Sequence, residues 1–147
     1  MHSTKPLHLL LVSDGSASAL RAADWIKSHF AADDVDVTIA SVLRSIVEVG
    51  SPTFAPIADY AAPLEDVADH RARQACERTQ EMLEPLASKA VVLEGQTIAG
   101  TLIAYVRDHP YDALVTGRRH HSLSRTMLGS ISAELCHQSP IPVWIIP

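Results

Sequence analysis

Cysteine is scarce in this chain: Cys76 and Cys136 are its only two, sixty positions apart and without a CxxC spacing. That excludes a thioredoxin-like redox motif and a cysteine-built zinc site. Clustered basic charge is missing as well. Twelve Lys and Arg against seventeen Asp and Glu leave a formal charge of -5, and neutralising a phosphate backbone takes grouped cations, so a nucleic-acid partner is not expected. Long apolar runs are absent too. The stretch from Leu7 to Val12, interrupted by His8, is too short for a membrane span or for the core of a secretory signal. A cytoplasmic protein with no membrane partner is the expectation. Eight histidines invite a metal, yet only His120 and His121 are adjacent, and a site needs three or four converging ligands. No metal site is expected. Nor does any Ser or Cys form a recognisable motif with a His and a carboxylate, so no catalytic residue is assigned.

What is present fits one folded unit. The chain has 147 residues, 47% of them hydrophobic and 20% charged, which is enough for one domain over residues 1–147 with a sizeable core. Strand-like and helix-like segments alternate along it. Leu7 to Ser13 reads as a strand buried on both faces, followed by the turn Asp14-Gly15-Ser16. Ser16 can cap a helix carrying Leu20, Ala23, Ile26 and Phe30, with Asp33-Asp34 at its exit. Val35 to Leu43 is the second strand.

From Arg44 to Pro63 three prolines and a lack of periodicity suggest a long loop. Leu64, Val67, Arg71, Ala75, Thr79, Met82 and Leu86 then trace one face of a long amphipathic helix, which Pro85 should kink or end. Ala90 to Glu94 is a third strand. Thr97 caps a helix marked by Ile98, Leu102, Tyr105 and Val106, and Tyr111 to Thr116 is a fourth strand closed by Gly117. Gly129-Ser130 opens a last helix with Ile131, Leu135 and Cys136, before the final strand Val143-Trp144-Ile145-Ile146. Both cysteines are read as small apolar helix residues.

Five strands alternating with four helices predict an α/β fold: an open, mainly parallel sheet with helices on both faces, Rossmann-like. Ligands in such sheets bind beyond the carboxyl ends of the strands. That puts the candidate site at Ser13 to Ser16, at Val42 and Leu43, and at Thr116-Gly117.

The segment Leu10-Leu11-Val12-Ser13-Asp14-Gly15-Ser16 resembles the opening strand and turn of universal stress proteins. Glu94 to Thr97, Tyr111 to Gly117, Gly129 to Ser132 and Ile141 to Val143 are similar to family segments in the same order. Members that bind ATP carry G-x2-G-x9-G-[ST]. This chain keeps Gly117, Gly129 and Ser130, has His120 in place of the second glycine, and has eleven residues between Gly117 and Gly129 where that pattern has twelve. A histidine lacks the backbone freedom of glycine, so the site is degenerate.

The resemblance implies ATP, ADP or AMP as ligand. Asp14 would contact the ribose region and Val42 the adenine through its backbone. The amides of Gly129, Ser130 and Ile131, the hydroxyls of Ser130 and Ser132, and the cation Arg119 would receive phosphate at a helix N-terminus. Ser13 and His120 complete the candidate set. The same residues also have plainer roles: Asp14 can shape a turn, Gly129 and Ser130 can start a helix, and Arg119 beside Arg118 can be surface charge.

Three functional readings stay open. One is a stress-response regulator that binds an adenine nucleotide. Another is a nucleotide-free dimeric interaction protein of the same family, and the third is a slow ATP hydrolase. A homodimer through the final strand, Val143 to Ile146, is expected because an apolar run with Trp144 makes a bare edge a liability; the resemblance implies antiparallel pairing of two such strands.

Overall fold

The apolar run at the N-terminus becomes the middle strand of a five-stranded sheet. The computed structural model describes residues 5–45, 58–119 and 129–147. In chain order the elements are β1 (Leu7–Val12), α1 (Ala17–His29), β2 (Val35–Arg44), α2 (Ala58–Leu83), β3 (Ser88–Gly95), α3 (Ile98–Asp108), β4 (Ala113–Gly117), α4 (Ser130–Gln138) and β5 (Val143–Ile146). The spatial order is β3-β2-β1-β4-β5. Every pairing is parallel, so the sheet is wholly parallel among the described strands.

Side chains of β1 alternate between two separate cores, as a period of two requires. Leu9 and Leu11 join Ile26 of α1 and Leu83 of α2 on one face, whereas Leu10 joins Leu102 of α3 and Leu135 of α4 on the other. Leu9, Leu10 and Leu11 are fully buried, whereas Leu7 at the start of the strand is exposed. Burial on both faces explains why the strand reads as a continuous apolar run and not as an alternation.

Helix starts follow the expected caps. The Ser16 hydroxyl accepts the Ala19 amide, and the Thr97 hydroxyl accepts that of Gly100. The long helix departs from expectation in two ways. It begins at Ala58, within the segment read as loop, so Pro63 lies inside it; the expected loop residues 46–57 fall outside the described residues. At the sixth helical position Pro63 lies past the first turn, so the helix forgoes one amide bond there.

The buried face of α2 also differs, comprising Ala72, Ala75, Cys76, Thr79 and Leu83, while Val67 is 49% exposed. Residues spaced strictly by four drift around a helix of 3.6 residues per turn, so Val67 ends up about 80° away from Ala75. The helix stops at Leu83, two residues before Pro85, as a missing amide hydrogen demands. Of the two cysteines read as apolar helix positions, Cys76 is buried and Cys136 faces water.

β5 lies at one edge of the sheet. Trp144 is already packed within its own chain, stacked on Phe30 at 6.2 Å and edge-on to Trp25 at 6.3 Å between ring centroids. Its indole therefore belongs to the α1 face of the sheet, and the edge itself offers mainly backbone.

Candidate functional site

All five parallel strands end on the same side, and the exits of β2, β1 and β4 are neighbours there. The N-termini of α1 and α4 open onto the same place. The result is a cleft of about 200 Å³. β1 and its turn supply Ser13 and Asp14, β2 supplies Val42, and the β4 exit supplies Gly117 and Arg119. Gly129, Ser130, Ile131 and Ser132 come from the start of α4. Nine of the ten expected site residues thus share one cleft; His120, the tenth, lies outside the described residues.

The geometry of the β1 turn is tightly specified. Gly15 has φ +74°, a conformation that costs a residue with a side chain about 1–3 kcal/mol. A Cβ there would also lie 3.1 Å from the Ala75 backbone of α2. Gly15→Ala is therefore expected to lower unfolding free energy by about 1–3 kcal/mol. Urea denaturation with an unchanged slope would measure this, and a midpoint equal to wild type would contradict the turn as described.

Two of the expected ligand-contacting groups face each other. Arg119 donates from its guanidinium to Asp14 Oδ2, with side chains 56% and 50% exposed. Such a half-exposed pair contributes about 0–1 kcal/mol, so a phosphate can compete for the arginine. Asp14 Oδ1 accepts the Ser16 amide at 2.9 Å. Partial burial pushes the Asp14 carboxyl up, but hydrogen bonding from Ser16 and the charge of Arg119 outweigh it, leaving the pKa below the ordinary carboxylate value. Asp14 is an anion at neutral pH.

The backbone of Val42 is presented for a reason that register makes clear. Ala40 turns its carbonyl toward β1 and accepts the Ser13 amide at 2.9 Å. Backbone groups alternate sides along a strand, so Val42, two residues on, directs its N–H and C=O past the end of β1 into the cleft. An adenine edge could pair there.

The start of α4 offers the opposite polarity. Gly129 is its N-cap at φ -60° with no side-chain cap hydrogen bond, and among the described residues a Cβ added there meets nothing within 4 Å. Among the described residues no side chain caps the first amides of the helix, which have no intrahelical acceptor and the helix dipole behind them.

Packing sets a requirement of its own at Gly117, which lines the cleft at the β4 exit. A Cβ on Gly117 would collide with the Ser18 carbonyl of α1, so this glycine is required by the close approach of a helix. Ser13 is 3% exposed, and its hydroxyl is bonded to Thr79 and to the Gly15 amide. It supports the turn more than it faces a ligand.

Among the lining residues that sequence reasoning missed are two buried serines, Ser18 and Ser41, each less than a tenth exposed. The signal for Ser41 was available: it follows Val35, Val37 and Ile39 on the inward face of β2, where a hydroxyl is out of pattern.

Among the described residues no group of three or more His, Cys, Asp or Glu converges as a metal site. No helix among them is long and apolar enough to cross a membrane.

Comparison with known proteins bears on this arrangement. A model of the universal stress protein family matches residues 7–147. Curated protein sequences give no significant match. Solved structures share the fold at low identity. UspA from Lactobacillus plantarum is 20% identical, with 99% of this chain and 100% of that one covered and a TM-score of 0.71. A universal stress protein in complex with cAMP is 19% identical over 98% and 99% of the two chains, with a TM-score of 0.66. The universal stress protein from Archaeoglobus fulgidus in complex with dAMP is 16% identical over 98% of each chain, with a TM-score of 0.54.

Proposed function

The chain belongs to the universal stress protein family, and from that premise we propose that it is a stress-response regulator whose cleft holds an adenine nucleotide. The observation that carries this reading is the convergence of two polarities on one cleft: uncapped amides at the start of α4, and the carboxylate Asp14 with the Val42 backbone opposite. Base and sugar need the backbone edge of Val42 and the carboxylate. A phosphate needs the helix start.

The size of the cleft supports a small ligand. At about 200 Å³ it falls below the ~300–1,000 Å³ of ordinary small-molecule sites, so a base and ribose fill it while phosphates run out along α4. Two neighbours of the same fold were solved with cAMP and with dAMP, each an adenine nucleotide with one phosphate. These complexes support adenine nucleotide as the ligand class here.

Hydrolysis is not part of the proposal. The charged groups lining the cleft among the described residues are Asp14 and Arg119, and they pair with each other, so neither stands as a free base for a water. In this reading the protein works in the cytoplasm and as a homodimer through β5, because that edge would otherwise leave backbone groups unpaired. Light scattering at micromolar concentration is expected to give twice the mass of the chain. A monomer mass would remove the dimer.

The direct test of the ligand is chemical. Protein purified without added nucleotide is denatured, and the released material is separated and identified. AMP or ADP in a sizeable fraction of molecules is expected, and a ligand of another class would displace the proposal.

A further inference from the structure

A hydrogen-bonded relay runs from the cleft turn into α2, and its direction can be assigned. Thr79 has one hydroxyl proton, and the Ala75 carbonyl at 2.6 Å takes it. Toward Ser13, also at 2.6 Å, Thr79 therefore accepts. That commits the Ser13 proton, leaving the Ser13 oxygen to receive the Gly15 amide at 3.1 Å. The chain reads Gly15 N–H to Ser13 Oγ–H to Thr79 Oγ1–H to Ala75 C=O. Each member acts once as donor toward α2, and aligned bonds of this kind reinforce one another.

Burial makes the relay consequential. Thr79 is fully buried and Ser13 is 3% exposed, so water cannot replace either partner, and an unsatisfied hydroxyl there carries a desolvation cost. Thr79 sits 66 positions from Ser13 and does not line the cleft. Yet the turn it holds carries Asp14, and Gly15, at positive φ, rests against Ala75, one helical turn from Thr79. A helix from the middle of the chain thus fixes the conformation of the loop that presents the carboxylate.

We infer that Thr79 is a positioning residue for the cleft, setting the Asp14-Gly15-Ser16 turn through Ser13. The inference rests on the reading of this cleft as the ligand site, but its first test needs no ligand. Thr79→Val keeps shape and removes the hydroxyl, whereas Thr79→Ser keeps the hydroxyl and removes the methyl. In each variant, amide exchange at Gly15 is divided by that at Gly100, which is held by the Thr97 cap of α3 and also opens locally, so an effect not confined to the β1 turn cancels.

Thr79→Val is expected to raise that ratio about tenfold, the equivalent of one buried hydrogen bond, and Thr79→Ser to leave it within about twofold. Ser13→Ala, which removes the Gly15 acceptor and leaves Thr79 satisfied, should raise it as well and serves if Thr79→Val does not fold. AMP titrated into the folded variants should bind about tenfold more weakly to Thr79→Val and nearly as in wild type to Thr79→Ser. An unchanged ratio in Thr79→Val and Ser13→Ala would overturn the inference. So would a Thr79→Ser protein as perturbed as Thr79→Val, because methyl packing would then account for the effect. If wild type itself fails to bind AMP, the ligand reading falls, and the exchange ratios still decide whether Thr79 sets the turn.

Discussion

Gly117→Ala is expected to lower the unfolding free energy by about 3 kcal/mol, near the upper end for overpacking a well-packed site. The Cβ it introduces would run into the carbonyl of Ser18. That atom is backbone, held in the first turn of α1, and cannot rotate away as a side-chain tip would. Relief requires moving α1 from β4, and Arg21 donates to the Arg118 carbonyl at 2.9 Å across that same junction. Gly129→Ala provides the contrast, since no described residue lies within 4 Å of the added atom, and its stability should stay within about 0.5 kcal/mol of wild type. Paired urea titrations measure both. Equal small losses in the two variants would mean that Gly117 is present for a ligand and not for packing.

This contrast shows where sequence reasoning stopped. Gly117 and Gly129 look alike as members of one glycine motif, yet one is fixed by a neighbouring helix and the other has no described residue against it. Motif spacing carries no information about what a missing side chain would touch. The fold was far more legible. Runs such as Leu9 to Leu11 alternate between two cores, and the serine and threonine caps marked two helix starts. Parallel order followed from the alternation of elements.

Site residues at strand ends were also legible, because topology dictates where they lie. Three features were missed. The pairing of Arg119 with Asp14 joins positions 105 apart, the contribution of Ser41 depends on strand face, and the support from Thr79 depends on which residue of α2 faces the turn. The apolar stripe of α2 did contain Thr79, and a buried hydroxyl within such a stripe signals a required partner.

The second large effect concerns selectivity among nucleotides. AMP or ADP is expected to bind at least as well as ATP, with dissociation constants in the micromolar range or weaker, about -8 kcal/mol or less favourable. One phosphate can use the uncapped start of α4. Further phosphates must draw on Arg119, which Asp14 already engages, and on a segment where the sequence has His120 in place of a glycine and is one residue short of the ATP-binding pattern. Each added charge therefore gains little.

The pH dependence follows in sign. Because the Asp14 pKa is depressed, its carboxylate contributes fully above the reference value of 3.8 and is lost only as pH falls below it. It cannot produce a change between pH 6 and 8. Protonation of His120, with a reference pKa near 6.5, would favour an anionic ligand at the acidic end, and His120→Asn should flatten that part of the profile.

Titration calorimetry of AMP, ADP and ATP into the wild-type protein, at a pH on either side of about 6.5, tests the central claim most directly. Measurable AMP binding, no advantage for ATP and tighter association at the lower pH are expected. Tight binding selective for ATP and indifferent to pH would contradict it.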